Sequence, residues 1–473
     1  MSTPPPPSSG ILRTEPAPAS AGATFYVAAD KIYPREITGR FARMRNVAVV
    51  VLLGLYYGVA WIQWDGHQAL LFDVPHRKFY IFGLTLWPQD FFYLALLLIL
   101  AALSLFFVTS LAGRLWCGYA CPQTVWTELF IRIEQWTEGK RSKRMKLDQG
   151  PWSREKVLRK FSKQFLWIAL SLFTGFTFVG YFTPIRELGG AILSLSLGPW
   201  AAFWVLFYSF ATYGNAGHLR EQVCKYMCPY ARFQSVMFDK DTLIISYDEK
   251  RGEPRGGRKR GTDPRAQGLG DCIDCTMCVQ VCPTGIDIRN GLQHECIACA
   301  ACIDACDDVM DRMGSPRGLI RYTTDHAVHG EQIRVVRPRV VVYACILVGV
   351  AATLVVSLVT RTPLILDVIR DRNALYREVR GDRIENAYTL RLINLDDAPH
   401  AYRLEVAGLD EAELVSPTGV IEAQPGEVST IAARVQAPSS VAHGVHPITL
   451  SLAAVDAPDI AVQEKTRFLG PQP

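Results

Sequence analysis

Five long apolar stretches interrupt an otherwise polar chain. Each approaches the roughly 20 apolar residues that cross the hydrocarbon core of a bilayer. They cover residues 47–64, 91–111, 165–182, 200–213 with its flanks, and 340–359. The fourth is the weakest because it is short and contains Ser209 and Thr212, so a buried or re-entrant helix is its alternative. The pattern predicts a multi-pass membrane protein with a transmembrane bundle of five α-helices.

The Lys and Arg residues between these stretches predict their orientation. Segments 112–162 and 215–339 are rich in both residue types, and so is the end of the first 45 residues. The two other loops carry few, namely Arg77, Lys78 and Arg186. Because cytoplasmic loops hold the excess of positive charge, five crossings put the N-terminus and segment 215–339 in the cytoplasm. The residues after about 362 then lie in the periplasm, outside a bacterial inner membrane.

The two ends of the chain differ from its apolar region. The first 45 residues begin with a proline run and contain no apolar core, which predicts a disordered cytoplasmic leader rather than a cleaved signal peptide. Near the other end, apolar and polar residues alternate at 388–394, 402–406, 429–435 and 446–452. Such runs are typical of half-buried strands, and we predict an all-β immunoglobulin-like sandwich over 362–473. Its scattered histidines, His400, His443 and His446, are interpreted as ordinary surface residues.

Composition and cysteine spacing add a redox chemistry. The 473 residues carry a net charge of only +5, so no nucleic-acid partner is indicated. Eight of the 13 cysteines form two copies of one run, Cys-x2-Cys-x2-Cys-x3-Cys. The copies consist of Cys272, Cys275, Cys278 and Cys282, and of Cys296, Cys299, Cys302 and Cys306. This is the spacing of two-cluster bacterial ferredoxins, in which the fourth cysteine of each run binds the other cluster.

The spacing therefore predicts two [4Fe–4S] clusters with exchanged fourth ligands. Cluster 1 is assigned to Cys272, Cys275, Cys278 and Cys306, and cluster 2 to Cys296, Cys299, Cys302 and Cys282. Zinc is the alternative metal, but its sites usually combine one Cys-x2-Cys pair with a distant second pair. A disulfide framework is disfavoured in the cytoplasm. We predict an inserted α+β ferredoxin-like domain within 231–339, with its core at 262–323.

A second thiol motif occurs twice at the membrane boundary. Cys117 and Cys121 belong to one Cys-x-Tyr-x-Cys-Pro motif, and Cys224 and Cys228 to the other. A spacing of four residues predicts both sulfurs of a pair on one helix face. The four thiols could hold a soft metal such as Cu(I), form a redox dithiol, ligate a further cluster, or be buried packing residues. Cys345 stands alone in the last apolar stretch and is interpreted as a packing residue.

These motifs together resemble the cytochrome c oxidase accessory protein family CcoG, also called FixG or RdxA. The similarity rests on both Cys-x-Tyr-x-Cys-Pro motifs, on LIISYDEKRGEPRGG at 243–257, and on the ferredoxin block. That block contains GDCIDCTMCVQVCPTGID and ECIACAACIDACDD, and PRGLIRY follows it at 316–322. Asp307 follows the last cysteine where many ferredoxins have proline, which removes no ligand.

The resemblance implies a membrane-bound electron carrier that assists assembly of the cbb-type oxidase. It implies an oxidoreductase that reduces Cu(II) to Cu(I) in the cytoplasm, with copper chaperones or transporters and oxidase assembly factors as partners. The C-terminal part corresponds to the family's immunoglobulin-like domain. We expect electrons from a soluble donor or from quinol, and copper reduction near Cys117, Cys121, Cys224 and Cys228.

Two other functions are compatible with the sequence. A quinol-oxidising conduit to another reductase would share the clusters and the thiol motifs, but it would not need the strand-rich C-terminal domain. A non-catalytic assembly scaffold would use that domain for docking. A homodimer is a further expectation, because two-fold association is common among oligomers. The predicted organisation is a leader at 1–45, helices one to four within 46–230, a cytoplasmic domain at 231–339, a fifth helix at 340–361 and the sandwich at 362–473.

Overall fold

The computed structural model describes residues 31–64, 66–371, 374–396, 398–416 and 419–472. The chain divides into two compact units, Met1–Leu71 with Leu98–Val350, and Phe72–Leu97 with Ala351–Pro473. The second unit combines a segment from the N-terminal half with the C-terminal domain, a grouping that the sequence did not predict. Most of the predicted leader, residues 1–30, lies outside the described residues.

The first unit is mainly helical. The helices of the described chain are α1 (Arg40–Val59), α2 (Phe91–Ala112), α3 (Leu115–Tyr119), α4 (Pro122–Glu138), α5 (Arg141–Gln149), α6 (Arg154–Val179), α7 (Ile185–Leu193), α8 (Pro199–Thr212), α9 (Pro229–Met237), α10 (Glu249–Gly252), α11 (Met277–Gln280), α12 (Ala301–Met313), α13 (Asp325–His329) and α14 (Pro338–Val359). Wider π-helical turns occupy Tyr213–Leu219 and Val223–Met227. Short 3-10 turns occupy Pro88–Asp90, Arg265–Gln267 and Ile288–Asn290.

Three of the described helices are long and apolar enough to cross a membrane, namely Arg40–Val59, Pro88–Ala112 and Pro338–Val359. The predicted third and fourth segments are also helical, but they do not reach that standard. α6 has 26 residues, yet its first turns carry several charged side chains. α8 has only 14 residues before the helix widens into a π-helical turn. The five-helix membrane bundle is therefore not confirmed.

The first helix begins earlier than the sequence indicated. α1 starts at Arg40, inside the predicted leader, because a distant side chain caps it. The carboxylate of Asp304 accepts hydrogen bonds from the backbone N–H groups of Phe41, at 3.2 Å, and Ala42, at 2.7 Å. Gly39 at the N-cap has no side chain that could do this. Residues 40–45 are therefore helical rather than disordered.

Short strands complete the fold. They are β1 (Gln63–Trp64), β2 (His67–Gln68), β3 (Leu70–Asp73), β4 (Lys78–Ile81), β5 (Leu84–Leu86), β6 (Ile244–Tyr247), β7 (Ile320–Thr323), β8 (Leu364–Arg370), β9 (Arg377–Val379), β10 (Arg383–Asn394), β11 (His400–Ala407), β12 (Glu413–Ser416), β13 (Val420–Ala423), β14 (Val428–Pro438), β15 (Val445–Ala454) and β16 (Ala461–Leu469). β6 pairs antiparallel with β7, with Ile244 opposite Thr323. The ferredoxin-like core therefore begins at Ile244, upstream of the predicted residue 262.

The C-terminal domain is a sandwich of two antiparallel sheets. One sheet has the order β12-β14-β10-β8, with β9 also paired to β10, and the other has the order β13-β11-β15-β16. Side chains such as Tyr388, Leu404 and Phe468 are buried in the core. The four alternating runs lie within β10, β11, β14 and β15. Alternation therefore located these strands correctly, because one face of each sheet is buried.

His400 contradicts its interpretation as a surface residue. Its side chain is buried, with 8% of the residue exposed. Nε2 lies 2.8 Å from a carboxylate oxygen of Asp396, and Nδ1 lies 2.7 Å from one of Asp456. These two carboxylates raise the pKa of His400 against the opposing effect of burial. The histidine thus ties the start of β11 to two flanking loops.

The second unit also contains residues that precede and begin α2. Trp87 is buried against Ile393 and Leu395, and its indole N–H donates to the Leu395 carbonyl oxygen at 2.9 Å. Arg361 pairs with Asp90 at 2.6 Å. In addition, the Tyr93 hydroxyl donates to the carbonyl oxygen of Ser357 at 3.0 Å. The start of α2 and the end of α14 are therefore neighbours.

Candidate functional site

The two cysteine loops share an unusual backbone. Asp274 and Thr276, on either side of the second cysteine of the first run, have φ angles of +53° and +54°. Ala298 and Ala300 occupy the matching positions of the second run, at +53° and +59°. Non-glycine residues rarely adopt this left-handed conformation, and it persists where the surroundings require it. The repetition indicates that both loops wrap around the same kind of group.

The eight cysteines of these loops lie around two neighbouring cavities. The first cavity is lined by Cys272, Cys275, Cys278 and Cys306. The second is lined by Cys282, Cys296, Cys299 and Cys302, and Cys278 borders it as well. The fourth cysteine of each run is therefore beside the first three of the other run.

The surroundings of these thiols fit an iron–sulfur cluster. Burial raises the pKa of Cys278, Cys296 and Cys306 to about 12, so the charged thiolates would be costly without a metal. Backbone N–H groups partly oppose that cost, for example the N–H of Ala298 at Cys296 and that of Ala301 at Cys299. Such donors favour thiolates, and iron binding would remove the protons and compensate the charge.

The second thiol motif is arranged differently from the prediction. Cys117 lies in α3, but Cys121 follows its end and occupies the N-cap position of α4, without a capping hydrogen bond from its side chain. Likewise Cys224 lies in the turn Val223–Met227, and Cys228 occupies the N-cap position of α9. The prediction that each pair shares one helix face is therefore wrong, because the chain breaks between its two cysteines. Proline follows each break at the first helical position, where no N–H is needed.

The four thiols of both motifs nevertheless lie in one region, since Cys121, Cys224 and Cys228 all affect the pKa of Cys117. Burial, and then the neighbouring Cys121, raise the pKa of Cys117 to about 12, with smaller contributions from Cys224 and Cys228. Burial, Cys121 and Cys228 raise the pKa of Cys224 to about 11. We call this group the thiol quartet. Cys345 is exposed on α14, which contradicts its interpretation as a packing residue. Within the described ranges, no three or more His, Cys, Asp or Glu side chains are grouped closely enough to hold a single metal ion.

The thiol quartet lies directly against the second cysteine loop. A Cβ atom on Gly118 would come within 2.8 Å of the Ile297 carbonyl oxygen and 3.0 Å of that of Ala298. The Tyr322 hydroxyl donates to the Ala298 carbonyl oxygen at 2.6 Å. Sequence reasoning missed this contact. A glycine between the two cysteines was the signal that could have suggested a close backbone approach.

Two arginines hold this junction together, and neither was predicted. Arg114 donates hydrogen bonds to the carbonyl oxygens of His294, Cys296 and Ala231. Its positive charge lies near Cys117, Cys296 and Cys224 and opposes the rise in the pKa of Cys117. Arg45 of α1 donates to the carbonyl oxygen of Cys299. The second cysteine loop is thus flanked by two guanidinium groups.

Known domain families match three parts of the chain. A 4Fe-4S dicluster domain matches residues 219–325, which include Cys224, Cys228 and the eight ferredoxin cysteines. A 4Fe-4S binding domain matches residues 94–144, which include Cys117 and Cys121. The IG-like fold at the C-terminus of FixG matches residues 354–471. Iron–sulfur domains and an immunoglobulin-like domain are therefore present in this protein.

Full-length relatives extend the similarity over most of the chain. Nitrogen fixation protein FixG of Rhizobium meliloti is 40% identical over 421 residues, 81% of this chain and 80% of that protein. Protein RdxB of Cereibacter sphaeroides is 40% identical over 431 residues, 88% of this chain and 89% of that protein. Protein RdxA of the same organism is 40% identical over 423 residues, 84% and 89% of the two chains.

One solved structure matches a small part of the chain. The crystal structure of a FixG-related protein from Vibrio parahaemolyticus matches 23% of this chain and 95% of its own, at 29% identity and a TM-score of 0.21. That score is too low to support an argument about the fold. The cysteine loops, the domain matches and the full-length relatives together show that this chain belongs to the FixG, RdxA and RdxB family of iron–sulfur redox proteins.

Proposed function

We propose that this protein is a membrane-bound electron carrier that reduces Cu(II) to Cu(I) at the thiol quartet, on the cytoplasmic side. The proposed ligands of cluster 1 are Cys272, Cys275, Cys278 and Cys306, and those of cluster 2 are Cys282, Cys296, Cys299 and Cys302. The observation that supports this function best is the contact of Gly118 with the second cysteine loop. It joins a candidate copper site to a candidate cluster site within one folded unit.

The order of the sites supports a linear electron path. Cys278 borders both cysteine cavities, so the two clusters would be neighbours. Arg114 and Gly118 then connect the second loop to Cys117. Iron–sulfur clusters supply electrons one at a time, which is the number that Cu(II) needs. Thiolates retain the softer product Cu(I), and the charge of Arg114 favours the thiolate form of Cys117.

Membrane crossing by α6 and α8 is part of the same proposal. Two of the charged residues that lower the hydropathy of α6, Lys156 and Lys163, are buried. Val157, Leu158 and Phe161 are exposed on its outer side. α8 has 14 residues, and a further seven follow in the π-helical turn, which together reach about 30 Å. An apolar outer surface of that length supports contact with lipid along both helices.

The second unit supports the proposed orientation. The loop before α2 and the residues after α14 are packed together there, through Trp87 with Leu395 and Asp90 with Arg361. Five crossings put both segments outside, and the basic loops inside. We therefore propose that the C-terminal domain is periplasmic and that the clusters are cytoplasmic. An accessory role for the cbb-type oxidase, copper chaperones or transporters as partners, and a homodimer belong to the same proposal.

A third cluster at the thiol quartet is a second candidate. The match of a 4Fe-4S binding domain to residues 94–144, which include Cys117 and Cys121, favours it. Two clusters require about eight iron atoms per chain and three require about twelve. Analysis of iron and acid-labile sulfide in the purified protein separates the two candidates.

Copper reduction is tested by mixing the dithionite-reduced protein with Cu(II) in a stopped-flow instrument, with cluster oxidation followed by electron paramagnetic resonance. We expect Cu(II) to reoxidise the clusters, and Cys228→Ala to retain both clusters but lose the rapid phase. A Cys228→Ala protein that reduces Cu(II) at the normal rate would contradict the terminal role of the thiol quartet.

The contact at Gly118 is tested in the same assay. Gly118→Ala pushes the motif away from the Ile297 carbonyl oxygen, so we expect cluster reoxidation to slow about tenfold at unchanged iron content. Gly190→Ala is the matched control, because no atom lies within 4 Å of the added methyl group. Equal rates in both variants would exclude this contact as part of the path.

A further inference from the structure

A cavity in the first unit connects the two redox sites. It lies between the N-terminal segment, α4, the turn before Cys224 and the second cysteine loop, and both Cys224 and Cys299 line it. Its volume is about 420 Å³. Cavities of this size hold small organic molecules rather than single ions. Neither the cluster ligands nor the thiol quartet accounts for this space.

Several charges of the lining have partners of their own. Glu128 lies 3.4 Å from Arg132, and Arg220 lies 3.0 Å from Glu134. Arg45 donates to the carbonyl oxygen of Cys299. The rest of the lining combines hydroxyl and amide groups and apolar side chains with charges of both signs, from Arg35, Glu36 and Glu221. A neutral ligand with a polar and an apolar part therefore matches this cavity better than a bare cation does.

The cavity lies at one end of a candidate membrane span. Ala42, Arg45 and Asn46 line it, and all three belong to the first turns of α1. Trp136 also lines it and is 76% exposed. Tryptophan prefers the boundary between membrane and water, where its ring and its N–H are both satisfied. A molecule dissolved in the bilayer could therefore enter here.

We propose that this cavity binds a quinol and that the quinol is the electron donor of the protein, an inference that rests on the proposed function. Oxidation of one quinol to the quinone breaks two O–H bonds and releases two protons and two electrons. Two clusters held by the eight ferredoxin cysteines would accept these electrons, one each. Glu128 and Glu221 of the lining offer two carboxylates that accept the protons and pass them to water.

The surroundings of the second cysteine loop fit this donor. A quinol is a weak reductant, so the cluster that it reduces needs a raised reduction potential. Arg45 and Arg114 both donate to carbonyl oxygens of this loop, and they bring two positive charges beside it. Positive charge and hydrogen bonding favour the reduced, more negative cluster.

Binding is tested with decylubiquinone and the full-length protein in detergent micelles, by quenching of tryptophan fluorescence. We expect Trp136→Ala to weaken quinone binding about tenfold, because an aromatic contact with the quinone ring is lost. Trp152→Ala is the matched control, since Trp152 is 78% exposed in the same unit but does not line the cavity. A photoreactive azidoquinone should label the peptide 123–136. Equal affinities in both variants, or labelling confined to peptides that do not line the cavity, would overturn the proposal.

Electron entry is tested by adding decylubiquinol to the oxidised protein without oxygen. We expect it to reduce the clusters, and Glu128→Gln to slow the reduction. Glu155→Gln is the matched control, because Glu155 also pairs with an arginine one turn away on its helix, Arg159. Reduction by a reduced flavin but not by quinol would refute the quinol site. The proposed function would survive the loss of the quinol site if Cu(II) still reoxidises the dithionite-reduced wild-type protein. If instead quinol reduces the clusters and Cu(II) does not reoxidise them, only the proposed function fails.

Discussion

Asp274, Thr276, Ala298 and Ala300 hold a left-handed backbone that costs each of them conformational energy. Their matched positions around Cys275 and Cys299 give both loops one shape. Cys282 and Cys306 each follow their own loop by the same number of residues. Each can therefore serve as the fourth ligand of the cluster at the other loop. At the residue scale, the shape of the site depends on these four backbone angles as well as on the eight thiols.

The crossed pairing predicts which double variants lose one cluster. Cys272→Ser with Cys306→Ser removes two ligands of cluster 1, so we expect about four iron atoms to remain. Cys272→Ser with Cys282→Ser removes one ligand from each cluster, and we expect both to be lost. Iron analysis and electron paramagnetic resonance measure the outcome, with Cys345→Ser as control. The opposite pattern would mean that each run holds its own cluster.

His400 predicts a pH dependence of the C-terminal domain. Its pKa is raised by Asp396 and Asp456, so the charged form is stabilised in the folded state. This stabilisation is complete below the ordinary value of about 6.5 and is lost as the pH rises through the raised value. Hydrogen exchange in β11 of the full chain should therefore accelerate as the pH rises above about 6.5, more than the intrinsic exchange does. His400→Gln should abolish that extra increase, whereas His446→Gln should retain it.

Helix α4 is held to its neighbours by a buried carboxylate. Glu134 is fully buried and lies 3.1 Å from Arg144 of α5, 3.0 Å from Arg220 and 3.7 Å from Lys163 of α6. Burial alone would raise the pKa of Glu134, but these cations and Lys31 outweigh it and lower the pKa to about 2. Because α4 begins just after Cys121 and Arg220 precedes Cys224, this group fixes the two thiol motifs relative to each other.

Removing that carboxylate should be costly. Glu134→Ala leaves Arg144 and Arg220 buried without their acceptor, which we expect to lower stability by about 3–5 kcal/mol. Thermal unfolding of the detergent-solubilised protein measures the loss, and Cys224 should become more reactive towards maleimide. Glu155→Ala removes an exposed helix pair and should change stability by less than about 1 kcal/mol. A Glu134→Ala protein as stable as this control would show that other contacts hold α4.

Helix α6 shows why the mean hydropathy of a sequence window can misjudge a membrane-spanning helix. Lys156 and Lys163 lower the mean hydropathy of its first half, yet both are buried. Lys163 pairs with Glu138, and Lys156 donates to the backbone carbonyl oxygens of Asp148 and Gly150. A sliding window counts these residues without regard to the face on which they lie. Part of the charge of this helix therefore faces the protein, whereas Val157, Leu158 and Phe161 face outward.

At the scale of the whole molecule, the orientation of the chain is the main prediction. A protease site inserted at Gly257, in the basic linker, should be cut only after the cells are lysed, because the proposed topology makes it cytoplasmic. A site added after residue 472 should be cut in intact spheroplasts. Cleavage is monitored by blotting of a C-terminal tag and an internal tag. Cleavage in the reverse order would contradict the proposed topology and, with it, copper reduction in the cytoplasm.

Much of this architecture could be predicted, because several patterns are local. The alternation in 388–394 or 446–452 identifies strands, because successive side chains of a strand point to opposite faces of the sheet. Cysteine spacing identifies a ferredoxin-type domain because three ligands of each cluster lie within one short loop. The same local logic was wrong for the Cys-x-Tyr-x-Cys-Pro motifs, because the helix ends between their cysteines, and for His400, whose two carboxylate partners come from loops.

The sequence by itself determined the iron–sulfur domain type, the strand-rich C-terminal domain and the three most apolar helices, because each follows from neighbouring residues. Only the tertiary structure decided that Asp304 caps α1, that Trp87 packs into the C-terminal domain, and that the thiol quartet lies against the second cysteine loop. The residues of the first contact are separated by 262 positions along the chain, and those of the second by 308. Such pairs meet only when the whole chain has packed, and no periodicity along the chain records them.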